Sequence, residues 1–233
     1  MRSSRIIPCL VLTAVVIIAP PSAQAQKDSR FVFTPYVGVY APSTDVFRFR
    51  LVENGTAVSF NTRHQPAVGV GVSASVWLDD RFAIEAGGLY SRNTLRADLF
   101  MNQIGTVTTS RADGESDVWA GTIKLMVQAL PPRSGMNLRV GLGPALITRG
   151  GPAYRGVVEG RMTGLTDVGG VLSLCSRVPV GRFAVIRLRA EDLVYQARQR
   201  WESQRVAGAE IRSDPRMQHD FVLSVGLQVG PTR

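Results

Sequence analysis

Apolar and polar positions alternate along this chain in long, strict runs. From Ala67 the sequence reads AVGVGVSASVWL, with Val68, Val70, Val72, Ala74, Val76 and Leu78 on one side and Gly69, Gly71, Ser73, Ser75 and Trp77 on the other. Successive side chains of a strand point to opposite faces, so this run predicts a strand with one apolar face and one face of mostly small residues. Asp79-Asp80-Arg81 breaks the run, and Phe82, Ile84, Ala86 and Gly88 resume it. Period-two segments recur at residues 30–41, 66–78, 82–90, 117–130, 136–149, 165–178, 183–197 and 218–230. Most are longer than the roughly five or six residues of an ordinary globular strand. No stretch after Gln26 keeps a helical period over three turns, and none is apolar for long enough to cross a bilayer as a helix.

The connections sort by position. Residues 79–81, 131–135 and 179–182 are tight turns, whereas 42–65, 91–116, 150–164 and 198–217 are long. Short turns at one end, long loops at the other and an even strand count describe an up-and-down membrane barrel. The predicted fold is therefore all-β: an eight-stranded antiparallel up-and-down transmembrane β-barrel. Trp119, Ile123, Leu125 and Val127, then Leu138, Val140, Leu142 and Leu146, then Phe221, Leu223, Val225 and Leu227 share the outward faces. The other faces line a lumen that eight strands make only wide enough for side chains to fill. Small inward residues leave room there for large charged ones. On that reading Val72→Arg or Leu142→Arg costs about 2–4 kcal/mol near the midplane, and the inward Gly71→Ser costs much less. Two long loops look like hairpins standing above the membrane. One turns at Asn54-Gly55 between 47–52 and 57–60; the other spans 95–110 with Asn102-Gln103 near its middle.

The N-terminus reads differently. Arg2 and Arg5 precede an apolar run from Ile6 to Ala19, and Ala23-Gln24-Ala25 is a small-x-small cleavage site. Residues 1–25 are read as a cleaved secretory signal peptide, and residues 26–233 as one outer-membrane barrel domain. The exported part keeps one cysteine, Cys175, and two histidines, His64 and His219, too few and too separated to suggest a metal site. The chain is basic, with 27 Lys+Arg against 18 Asp+Glu. An exported basic protein meets phosphorylated lipid rather than nucleic acid. The expected partners are outer-membrane lipid, lipopolysaccharide and, during insertion, the barrel assembly machinery. No nucleic acid or cofactor is expected, and the protein is read as a monomer.

With this pattern the chain resembles the small eight-stranded outer-membrane barrels, the OmpA-type barrel-domain family, over its whole exported length. The resemblance is carried by Phe31-Val32-Phe33-Thr34-Pro35-Tyr36-Val37-Gly38, by Val140-Gly141-Leu142-Gly143-Pro144-Ala145, and by Phe221-Val222-Leu223-Ser224-Val225-Gly226-Leu227. It implies a fold and placement in the bacterial outer membrane, and no catalytic signature. Such barrels usually end in an aromatic residue, whereas this sequence ends Val229-Gly230-Pro231-Thr232-Arg233.

Candidate chemistry is sparse. Gly69-x-Gly71 and Gly141-x-Gly143 are followed by more strand, not by the helix a dinucleotide fold needs. Asn54-Gly55-Thr56 matches a glycosylation acceptor, but a hairpin tip explains it. His219, Asp220 and Ser224 suggest a hydrolase, yet strand parity turns His219 away from the other two. Two sets remain. Parity points Glu85, Lys124, Arg139, Arg177, Arg187, Arg189 and Glu191 into the lumen, with Asp167 and Asp220 nearer the loops. Five basic and four acidic groups on one buried surface predict mutual pairing into a plug. In the loops, Arg48, Arg50, Arg92, Arg96, Arg155, Arg161, Arg200 and Arg205 are candidates for lipopolysaccharide phosphates. The function that follows is non-enzymatic: a structural or surface-interaction role through the long loops. The alternative is a small-solute, porin-like channel, and a lipid-modifying enzyme is the third reading.

Overall fold

Strand pairing realises the alternation directly. The computed structural model describes residues 31–53, 56–103, 106–130, 137–157, 160–180, 184–203, 210–212 and 216–229. The expected signal peptide and Arg205 lie outside these residues. The described strands are β1 (Phe31–Pro42), β2 (Phe47–Glu53), β3 (Thr56–His64), β4 (Ala67–Trp77), β5 (Phe82–Gln103), β6 (Thr106–Gln128), β7 (Asn137–Gly150), β8 (Arg155–Val157), β9 (Gly160–Thr163), β10 (Thr166–Val180), β11 (Ala184–Ala197), β12 (Arg200–Ser203), β13 (Glu210–Arg212) and β14 (Arg216–Val229). Eight of them close a ring in the order β1, β4, β5, β6, β7, β10, β11, β14, with β14 pairing back onto β1 and every pair antiparallel. Each of the eight coincides with one period-two segment, β5 and β6 running on into the expected loop 91–116.

The wall does not stop at the membrane. β5 and β6 pair without a break from Phe82↔Val127 to Gln103↔Thr106. At about 3.4 Å per residue that is roughly 70 Å of strand, far more than the apolar band of about 25 Å on such barrels. The turn joins residues 103 and 106, slightly beyond Asn102-Gln103. β2 and β3 close around Asn54-Gly55, from Phe47↔Thr62 to Glu53↔Thr56. β3 then takes over the edge of β5 that β4 holds lower down: Gly69↔Ser91 to Trp77↔Ala83 belong to β4, His64↔Leu95 to Thr56↔Gln103 to β3. A second extracellular sheet, in the order β13, β12, β9, β8, occupies the other two long loops. The sequence reading left it out, because strands of three or four residues carry no period.

Burial separates the faces. Leu142, Val68, Val168 and Leu223 are 66, 65, 74 and 61% exposed. Their neighbours Gly141, Val171 and Val222 face inward and are buried. A continuous apolar belt around a closed barrel is stable only against lipid. Tyr90 and Trp119, paired across β5 and β6 with ring centroids 4.5 Å apart, mark an aromatic border at the outer edge of that belt.

One inward position departs from the expectation of easy tolerance. A Cβ on Gly71 would overlap the Tyr36 ring and the Gly88 carbonyl oxygen, which accepts the Tyr36 hydroxyl hydrogen bond at 2.9 Å. Gly71 is the bed on which an aromatic ring lies, so Gly71→Ser is costly and not mild. Gly143 is equally tight, its missing Cβ coinciding with the Ile123 backbone. Pro144 beside it donates no hydrogen bond, and the β6–β7 ladder skips from Thr122↔Ala145 to Leu125↔Leu142.

Candidate functional site

The barrel interior is a stack of layers, and each layer comes from inward positions at one height on several strands. In the lower half, Glu85 on β5 stands directly opposite Lys124 on β6, with Nζ 3.0 Å from Oε1. The same carboxylate accepts from Arg187 at 2.6 Å and from Arg189 at 2.9 Å, both reaching across from β11. Lys124 also pairs with Glu191, which lies 3.8 Å from Arg189. Ser75 donates to Glu85, Ser73 accepts from Arg189, and Thr34 accepts from Arg187. Glu85 is 0% and Lys124 1% exposed. Five of the seven inward candidates therefore meet in one network that fills the cross-section. Arg139 and Arg177 do not join it. Arg139 lies over the Trp77 ring at 4.0 Å, and Arg177 donates to Gln228 at 3.2 Å.

Above the ions lies an apolar layer that includes Leu89, Ala120, Ala145, Val171, Leu193 and Val222. Next comes a second polar layer at the rim. Arg149 pairs with Asp167 at 2.6 Å and lies over the Tyr195 ring at 4.8 Å, while Tyr40 and Tyr195 both donate to Asp220. The balance expected of nine charges is corrected here. Asp167 and Asp220 are engaged at the rim, and Arg149, inward by the same parity as Arg139, was overlooked. His64 sits in this region too, its Nε2 2.6 Å from the Tyr154 hydroxyl and its Nδ1 3.2 Å from Ser116 Oγ. Burial, with Arg149 adding to it, pushes the imidazole down to about 3, so it is neutral at neutral pH. Sequence reasoning missed this residue because it ends a strand inside a nominal loop. The only signal was its place two residues before Pro66.

The topmost layer is apolar again. Phe47, Phe60, Leu95, Tyr154 and Met162 form its buried centre, with Phe49, Leu99 and Trp201 packed around them. These residues come from both extracellular sheets. A polar cleft of about 260 Å³ opens beside His64, between residues 42–45 and 63–66, where β1 and β4 part after Tyr40↔Ala67.

On the outer surface the loop arginines meet loop acids. Arg96 stands opposite Asp113 and bonds it at 2.9 Å, Arg92 meets Glu115 at 2.6 Å, Arg48 meets Asp45 at 2.7 Å and Arg161 meets Glu202 at 2.8 Å. The Asp113 carboxyl is held below its usual range by its hydrogen bond to Arg96. Arg50, Arg155 and Arg200 are exposed. His219 points outward, 3.0 Å from Asp192, whereas Ser224 and Asp220 are buried inside, so no triad forms from these three.

Comparison with known proteins adds the fold. The fold is that of the small outer-membrane β-barrels. The outer membrane protein OprG from Pseudomonas aeruginosa superposes with a TM-score of 0.58 at 11% identity, covering 87% of this chain and 100% of that one. The outer membrane protein AlkL, solved in DMPC lipid bilayers, superposes with a TM-score of 0.57 at 10% identity, covering 88% of this chain and 92% of that one. No family model matches the sequence, so the OmpA-type resemblance stands only at the level of a small outer-membrane barrel. A search of curated proteins found no match.

Proposed function

We propose that this barrel admits small, mainly apolar solutes at its extracellular end and releases them sideways at the rim, without carrying ions along its axis. One observation carries the reading: the interior of the wall is packed with aromatic and aliphatic side chains above and with paired ions below. A solute that dissolves among Phe47, Phe49, Leu99 and Trp201 meets the Glu85 network if it continues down the axis. The other direction is sideways, past the polar cleft where β1 and β4 part, which we assign as the exit. The small-solute reading thus takes precedence over a purely structural or surface role. Contacts of exposed Arg50 and Arg155 with lipopolysaccharide phosphates are compatible with either.

The test is entry of an uncharged aromatic dye, fluorescent only in lipid, into cells that carry the protein in their outer membrane. Wild type should speed entry over cells lacking it, and Phe49→Glu with Leu99→Glu should slow it while the barrel still migrates as a folded band. Equal rates with and without correctly inserted wild-type protein would return the surface role to first place.

A further inference from the structure

The periplasmic end of the lumen holds two cations, Arg139 buried and Arg177 half-buried, that no carboxylate answers among the described residues. Arg177 stands directly opposite Arg187 across β10 and β11, and Arg139 pairs with Cys175, two residues from Arg177 on the same inward face. Like charges facing each other across strands repel. Arg187 is answered by Glu85, but Arg139 and Arg177 have no carboxylate within reach among the described residues. Arg139 is only 5% exposed, and the Nε of each guanidinium lacks a hydrogen-bond partner among the described residues. Arg139 lies over the Trp77 ring, and that contact leaves its Nε without a hydrogen-bond partner among the described residues.

The surplus is large. Lys124, Arg139, Arg177, Arg187 and Arg189 are five cations, and Glu85 and Glu191 are two carboxylates, which leaves three positive charges over. Asp167 and Asp220 are committed at the rim. Asp79 accepts from the backbone N–H groups of Arg81 and Phe82, each at 2.7 Å. In the sequence, residues 131–136, 181–183 and 230–233 contain Arg133, Arg182 and Arg233 and no acid. A guanidinium does not shed its proton to escape burial, and an unmatched buried charge is expensive.

We propose that this end of the lumen binds a small tetrahedral oxyanion of the phosphate or sulfate class, held between Arg139 and Arg177 beside Gln228. Guanidinium edges match oxyanions in paired, planar N–H···O bonds to two oxygens, whereas chloride offers a single acceptor atom. The ligand is a free anion from the periplasm, because both arginines lie on the inward face of the wall and not on the lipid face. A species that binds the folded barrel alone raises its stability in a saturable way.

The experiment follows thermal unfolding of the full exported chain in maltoside micelles, at constant ionic strength, with inorganic phosphate replacing chloride. Wild type should gain several degrees, saturably, and ³¹P resonances should broaden on addition of protein. Arg139→Gln with Arg177→Gln should abolish both effects, whereas Arg133→Gln keeps them. If the double variant does not fold, Arg177→Gln alone should weaken the apparent phosphate affinity at least tenfold. Identical melting in phosphate and chloride overturns the proposal. So does an equal phosphate response in wild type and the double variant, or a response to phosphatidylglycerol bilayers alone. Asp28 stands three residues before β1 in the sequence. If Asp28→Asn lowers the melting point while wild type ignores phosphate, the chain supplies its own counter-charge and the proposal fails.

Discussion

At the scale of single residues, parity decides the face, but neighbours decide the cost. Gly71 and Gly88 lie close together on β4 and β5. A Cβ at Gly88 meets nothing within 4 Å, whereas at Gly71 it strikes Tyr36 and a backbone carbonyl. Gly71→Ala should therefore destabilise the barrel by about 1–3 kcal/mol through overpacking, and Gly88→Ala should be nearly neutral. Urea unfolding in lipid vesicles separates the two; equal midpoints would mean that Tyr36 moves aside freely. His64 gives a pH prediction. Its folded pKa lies near 3 and its unfolded value near 6.5, so between them the unfolded chain binds the extra proton. The contribution to stability is complete above about 6.5 and is lost progressively as pH falls toward 3. Protease cleavage of the extracellular sheets should quicken on acidification from 7 to 5, and His64→Gln should flatten that part of the profile. An unchanged slope in the variant would place the acid sensitivity on the loop carboxylates.

At the scale of elements, the eight ring strands were legible because each buries one face and exposes the other to lipid over ten or more residues, which writes a period of two into the sequence. The first hairpin was legible through Asn54-Gly55, and the inward ion network through the parity of Glu85, Lys124, Arg187, Arg189 and Glu191. Height along the axis was not legible. Parity says that Asp167 and Asp220 face inward, but not that Arg149 and two tyrosines lie nearer to them than the lower cations do. The small sheet of β8, β9, β12 and β13 was equally hidden, since its strands are stabilised by packing on a neighbouring hairpin. That packing can be tested. Phe47 is buried and meets Phe60 edge-on with centroids 6.0 Å apart, so Phe47→Ala should cost the extracellular assembly about 3–5 kcal/mol. Because this cluster lies above the membrane-spanning part of the wall, the loss should appear as faster proteolysis above the membrane while the midpoint of barrel unfolding stays put. A matched drop in the barrel midpoint would show that the two parts unfold as one unit.

At the scale of the whole molecule, the layers set what can cross. Water and ions need a continuous polar path, and the apolar layer of Leu89, Val171 and Leu193 interrupts it above the Glu85 network. The network itself is the second barrier, since its buried ion pairs fill the cross-section and hold one another in place. Glu85 is its centre, touching Lys124, Arg187 and Arg189. Removing one partner of such a group strands the others, at a cost of about 3–5 kcal/mol. The lumen then either admits water and anions around the exposed cations or loses its packing. Wild-type protein in a planar bilayer should show little steady conductance, and Glu85→Ala combined with Glu191→Ala should be less stable and leak, with selectivity for anions. The sign of the selectivity matters most, because five cations without carboxylates attract anions, whereas a merely loosened barrel leaks without preference. Steady wild-type conductance through a single monomer would remove the barrier and make an axial pore the better description of this protein.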